Sequence, residues 1–126
     1  MAYILLVEDD QNNADMVIHL LKGLNIEVRH TLRGLDGAIA ARKEHPALIL
    51  MDFNLPDIDG RTLVLQLKKQ LGGASAPPIV ALTARAGQSE MRLAEAFGCS
   101  AFVSKPFEPE ELISLIKRLV PALVNE

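Results

Sequence analysis

Ile4-Leu5-Leu6-Val7-Glu8-Asp9-Asp10 is an apolar run of four residues that stops at three acids. Consecutive apolar residues without alternation fit a strand covered on both faces, the condition of a parallel sheet. Three more runs repeat the pattern: Leu48 to Met51 with Asp52 next, Pro78 to Leu82 with Thr83 next, and Ala101 to Val103 with Lys105 close behind. A fifth and more polar run, Glu27 to Thr31, suits an edge strand.

Between the runs the apolar spacing becomes helical. Ala14, Val17, Ile18 and Leu21 mark a first helix, with Asn12 or Asn13 expected to cap it. A second spans about Leu35 to His45 and stops before Pro46. Leu63, Leu67 and Leu71 mark a third. Gln88 to Phe97 carries only a thin stripe of Met91, Ala94 and Phe97, and is read as a weakly anchored fourth. Leu112, Leu115, Ile116 and Leu119 mark the last, with Pro109 in its first turn. Strand then helix, five times over, predicts an α/β, doubly wound five-stranded parallel sheet with helices on both faces.

The 126 residues suit a single domain over 1–126 with no separate output domain, and 49% apolar against 23% charged residues suffice for a core. A net charge of -3 gives no electrostatic basis for direct nucleic-acid binding. No apolar run reaches the ~20 residues that span a bilayer, so a cytoplasmic protein without membrane insertion is expected. The lone Cys99 has no partner for a disulfide or a zinc site and reads as a small buried apolar residue.

In an open parallel sheet, ligands bind beyond the carboxyl ends of the strands. Those ends supply Glu8, Asp9, Asp52, Thr83, Ala84 and Lys105. Two carboxylates ~4 Å apart repel by about 4 kcal/mol at an effective dielectric of 20, so cations must offset them. Hard oxygen donors suit Mg²⁺, and Lys105 adds a second charge that can pair with Asp52. A carboxylate in that setting can attack a phosphoryl group to give an acyl phosphate, stabilised by the cations and the Thr83 hydroxyl while small Ala84 leaves the approach clear.

The chain resembles the receiver domains of two-component response regulators. The stretches that carry the resemblance are residues 4–10, Leu50-Met51-Asp52-Phe53-Asn54-Leu55-Pro56-Asp57-Ile58-Asp59-Gly60, Val80-Ala81-Leu82-Thr83-Ala84 and Phe102-Val103-Ser104-Lys105-Pro106-Phe107. It implies a flavodoxin-like receiver fold with strand order 2-1-3-4-5. It also implies Asp52 as phosphoacceptor, Glu8 and Asp9 as the Mg²⁺-binding pair, and the Asn54 backbone carbonyl as a further metal ligand. Thr83 and Phe102 match the switch pair, Lys105 the conserved-type lysine, and the Lys105–Pro106 bond is often cis in the family. Phe102 lacks the tyrosine hydroxyl often found there, so its switching would rest on packing. Arg85 borders the site and could alter the acyl phosphate lifetime.

Other candidates are set aside. Asp10 is read as the solvated, acidic start of the first helix. Asp57 and Asp59 are read as turn residues, His19 as a helix residue rather than a phosphodonor, and His30 and His45 as lacking ligand spacing.

The expected function is a signalling switch that catalyses only its own phosphorylation and dephosphorylation. A histidine kinase or histidine phosphotransfer protein would be the donor, a downstream protein the target, and the state a monomer or weak dimer. An aspartyl phosphatase would need a second acid where Asn54 stands and an inserted cap. A phosphorylation-independent interaction module, or a receiver fragment of a larger hybrid kinase, remain alternatives, with Met1 just before the first strand leaning toward a stand-alone protein.

Overall fold

A computed structural model describes residues 2–84 and 87–124. Five parallel strands, β1 (Ile4–Val7), β2 (Val28–Thr31), β3 (Leu48–Asp52), β4 (Ile79–Thr83) and β5 (Ala101–Ser104), form one sheet in the order β2-β1-β3-β4-β5. The five helices are α1 (Gln11–Lys22), α2 (Gly34–Lys43), α3 (Gly60–Gln70), α4 (Gln88–Ala96) and α5 (Pro109–Leu119). Element order and sheet order both match the expectation.

The central strands are buried along their whole length, and they are the three with the least polar sequences. β2 is half-buried at every position, as its polar sequence predicts. β5 was expected to be covered like the central three, but it is the other edge and only Val103 is buried. A three-residue apolar run does not separate an edge from an interior strand.

Alternation along each strand divides the core into two layers. Leu5, Val7, Ile49, Met51 and Ala81 face α2, α3 and α4 through Ala38, Ala41, Leu63, Val64, Leu67 and Ala94. Ile4, Leu6, Leu48, Leu50, Val80 and Leu82 face α1 and α5 through Ala14, Val17, Leu21, Leu112 and Ile116. α4 buries only Ala94, as its thin stripe implied.

Helix ends differ from the sequence reading most at α1 and α2. The cap of α1 is Asp10, whose side chain accepts from the Asn13 N–H at 3.1 Å, so Asn12 and Asn13 lie inside the helix. α2 begins one residue earlier and ends two residues sooner than expected, with Glu44 already extended at φ -145°. Pro46 disfavours helical backbone at His45, so the helix could not in any case have run past Glu44.

Candidate phosphoryl-acceptor and divalent-cation site

The sheet order reverses between β1 and β3, and the acids sit at that reversal. Glu8 and Asp9 follow β1, Asp52 ends β3, Thr83 ends β4, and Lys105 follows β5. Four separate strand ends thus contribute to one place. Thr83 and Lys105 are joined through the main chain, where the Lys105 N–H donates to the Thr83 carbonyl at 2.7 Å. The Lys105–Pro106 peptide is cis.

Lys105 Nζ donates to Glu8 Oε1 at 2.5 Å and to Asp52 Oδ2 at 3.2 Å. The remaining carboxylate oxygens are engaged by backbone: the Asp10 N–H donates to Glu8 Oε2 at 3.2 Å, and the Asn54 N–H to Asp52 Oδ1 at 3.0 Å. Among the described residues, Glu8, Asp52 and Thr83 are the buried polar side chains, whereas Asp9 is exposed. Each of Glu8, Asp9 and Asp52 offers a carboxylate oxygen within 4.8 Å of the others. Three hard oxygens so close, with one exposed toward solvent, suit Mg²⁺, which prefers carboxylates together with retained waters.

Burial pushes the Glu8 carboxyl up to about 7; the Lys105 bond opposes that rise and neighbouring Asp52 adds to it. Burial alone would lower the Lys105 ammonium, but Glu8 and Asp52 more than reverse this and hold it above its ordinary value. The expected Lys105–Asp52 pair is therefore present, with Glu8 as the nearer partner.

The β3–α3 loop is folded tightly behind Asp52. The Gly60 N–H donates to the Phe53 carbonyl at 3.2 Å, and Asn54 and Asp59 form an isolated antiparallel bridge. A side chain at position 60 would put its Cβ 2.6 Å from Phe53 Cα, so only glycine lets α3 start there. Asp59 caps α3 through the Arg61 N–H, in keeping with its reading as a turn residue.

Two residues set aside in the sequence touch this region. His30 Nε2 lies 2.8 Å from the Glu8 carbonyl, which only accepts, so the nitrogen carries the proton and donates. Asp57 accepts from the Gly34 and Leu35 N–H groups at the start of α2, at 2.9 Å each. Neither contact has a local sequence signal, because each joins residues more than twenty positions apart.

Two hollows flank the sheet edge. One of about 430 Å³ opens beside Glu8 and Lys105, with Met16, Val17, Ala84 and Phe107 in its walls. Another of about 250 Å³ is lined by Met91, Phe102, Leu115 and Arg118, between α4, β5 and α5. Half-buried Phe102 thus lies on the α4–β5–α5 side. Arg85 lies outside the described residues.

Comparison with known proteins gives a consistent result. Hybrid signal transduction histidine kinase G of Dictyostelium discoideum is 38% identical over 120 residues, covering 94% of this chain and 4% of that protein. The polar-differentiation response regulator DivK of Brucella ovis is 33% identical over 116 residues, covering 90% of this chain and 92% of DivK. Two transcriptional regulators are matched over 50% and 57% of their lengths, so the chain spans about half or less of several relatives. Among solved structures, the receiver domain of sensor histidine kinase PA1611 from Pseudomonas aeruginosa PAO1 superposes with a TM-score of 0.85 at 31% identity, over 95% of this chain and 98% of that one. That structure has a magnesium ion coordinated in its active site cleft. With strand-end acids, threonine and lysine assembled as described, and the profile of the response regulator receiver domain matching residues 4–117, the chain belongs to the response regulator receiver domain family.

Proposed function

We propose that Asp52 is the phosphoacceptor of a cytoplasmic two-component or phosphorelay switch. The observation that carries this reading is the Glu8–Lys105–Asp52 constellation: a buried nucleophile-type carboxylate held at both oxygens, with its counterion in place. One Asp52 oxygen attacks the phosphorus of a phosphohistidine on a histidine kinase or phosphotransfer protein. The new P–O bond forms as the P–N bond breaks, and the departing imidazole takes up a proton. Lys105 can exchange its Asp52 contact for a phosphoryl oxygen while keeping Glu8. Glu8, Asp9, Asp52 and the Asn54 carbonyl would hold Mg²⁺, which neutralises part of the charge on the phosphoryl oxygens when bound.

Thr83, at the buried end of β4, is the group that hydrogen-bonds the new phosphoryl, and exposed Ala84 leaves its approach open. Thr83 movement frees space for Phe102 to repack, which changes the α4–β5–α5 face offered to a downstream protein. The chain turns over only its own phosphoryl group.

The test is intact-protein mass after incubation with acetyl phosphate, with and without MgCl₂, for wild type and Asp52→Asn. One phosphoryl adduct that needs Mg²⁺ and is absent in the variant is expected. An adduct of equal yield in Asp52→Asn would remove the assignment.

A further inference from the structure

α2 does not cap itself. Arg33 occupies its N-cap position and makes no side-chain bond to the helix, yet the first amide groups of a helix need acceptors. They are satisfied from another part of the chain: Asp57 Oδ1 accepts from the Gly34 N–H and Asp57 Oδ2 from the Leu35 N–H, both at 2.9 Å. The fit between loop and helix is close as well as polar. A Cβ at position 34 would come within 2.5 Å of Ile58 Cγ2, 2.9 Å of Leu63 Cδ2 and 3.1 Å of Leu55 Cδ1, so the helix start is seated directly on the β3–α3 loop.

The loop so anchored is the one that holds Asp52. Asn54 stands three residues before Asp57, its N–H donates to Asp52 Oδ1, and its backbone pairs with Asp59. The ring from Phe53 to Gly60 therefore has two fixed points, the Gly60–Phe53 bond at its neck and the Asp57 carboxylate at its tip.

We propose that Asp57 is a positioning residue: by tying the loop tip to the start of α2 it holds the Asn54 main chain toward the acid cluster, so that divalent-cation binding and the α2 tie support each other. This rests on the reading of Glu8, Asp9, Asp52 and the Asn54 carbonyl as the cation site. Outer groups that orient ligands commonly change metal affinity by about tenfold or more. Thermodynamic linkage requires the effect to run both ways.

Two measurements test it, using MgCl₂ as the probe. Calorimetric titration of wild type, Asp57→Ala and Asp57→Asn, at about 0.1 M and about 0.5 M NaCl, separates position from charge, since salt screens a distant charge but not a displaced ligand. About tenfold weaker Mg²⁺ binding in Asp57→Ala at both salts is expected, with part of it restored in Asp57→Asn, which keeps an acceptor oxygen. On wild type alone, saturating Mg²⁺ should slow hydrogen exchange at the Gly34 and Leu35 amides. Equal Mg²⁺ affinity in folded Asp57→Ala would overturn the inference, and so would a loss that is the same in both variants and vanishes at high salt. Unchanged exchange at Gly34 and Leu35 would overturn it without any variant. If wild type binds no Mg²⁺ at all, the cation-site reading fails first, and that outcome is distinct from wild-type binding that Asp57→Ala preserves.

Discussion

Lys105 is closer to Glu8, at 2.5 Å, than to Asp52, at 3.2 Å, so the lysine is anchored more closely to Glu8 than to the proposed acceptor. Asp52 therefore has the longer and more exchangeable bond. Among the described residues, Lys105 serves both buried carboxylates.

Replacing Lys105 with methionine keeps the stem and removes the charge. Two buried carboxylates then face each other, and removing one partner of a buried ion pair typically costs about 3 kcal/mol or more. Urea unfolding at pH 8 should show a loss of that order for Lys105→Met, and the loss should shrink below pH 6 as a carboxyl takes up a proton. Equal stability to wild type at pH 8 would contradict the sharing.

Stability without divalent cations should fall as pH rises from about 5 to 8. The Glu8 carboxyl sits at about 7 in the folded protein against 4.5 when unperturbed, so between those values the folded state holds more protons than the unfolded one. Its contribution is full below the unfolded value and is lost as pH rises through the folded one, amounting to at most about 3 kcal/mol. Thermal unfolding in EDTA across this range checks it. Glu8→Gln should flatten the profile, and Mg²⁺ should raise the melting temperature more at pH 8 than at pH 6.

Glycine substitutions should separate by local space. Gly60→Ala drives a Cβ to 2.6 Å from Phe53 Cα, a backbone atom that cannot rotate away, and should cost about 2 kcal/mol or more. Gly23→Ala meets nothing nearer than 3.4 Å at a helical φ of -61°, and should be neutral or stabilising by about 0.5 kcal/mol. Denaturant midpoints compare the two directly.

Cys99 is buried, and burial pushes its thiol up to about 12. A water-soluble thiol reagent should modify it only as fast as the protein opens, with the rate rising through the urea transition. Rapid labelling in native buffer would show that the β5 side of the core is looser than described.

Much of the fold was legible because its signals are local. β1 and β3 end in acids after unbroken apolar runs, and α5 combines an N-terminal proline with a clean helical stripe. β5 was misjudged as covered because three apolar residues say nothing about which neighbour lies beyond them. At the site, strand-end position alone selected Glu8, Asp9, Asp52, Thr83 and Lys105. It could not reveal Glu8 as the nearer partner of Lys105, nor Asp57 serving a helix 22 residues away, since both depend on how the sheet and loops close.

The bond between Lys105 and Glu8 joins residues 97 positions apart. As the chain emerges from the ribosome, Glu8 and Asp52 are made long before Lys105. Until β5 docks at the sheet edge, Glu8 and Asp52 stand together without Lys105. Docking of β5 completes the sheet and brings Lys105 to the acids in one event, which makes chemical competence a report on a finished sheet. A chain truncated before residue 105 would be expected to bind cations loosely through its acids and yet to accept no phosphoryl group.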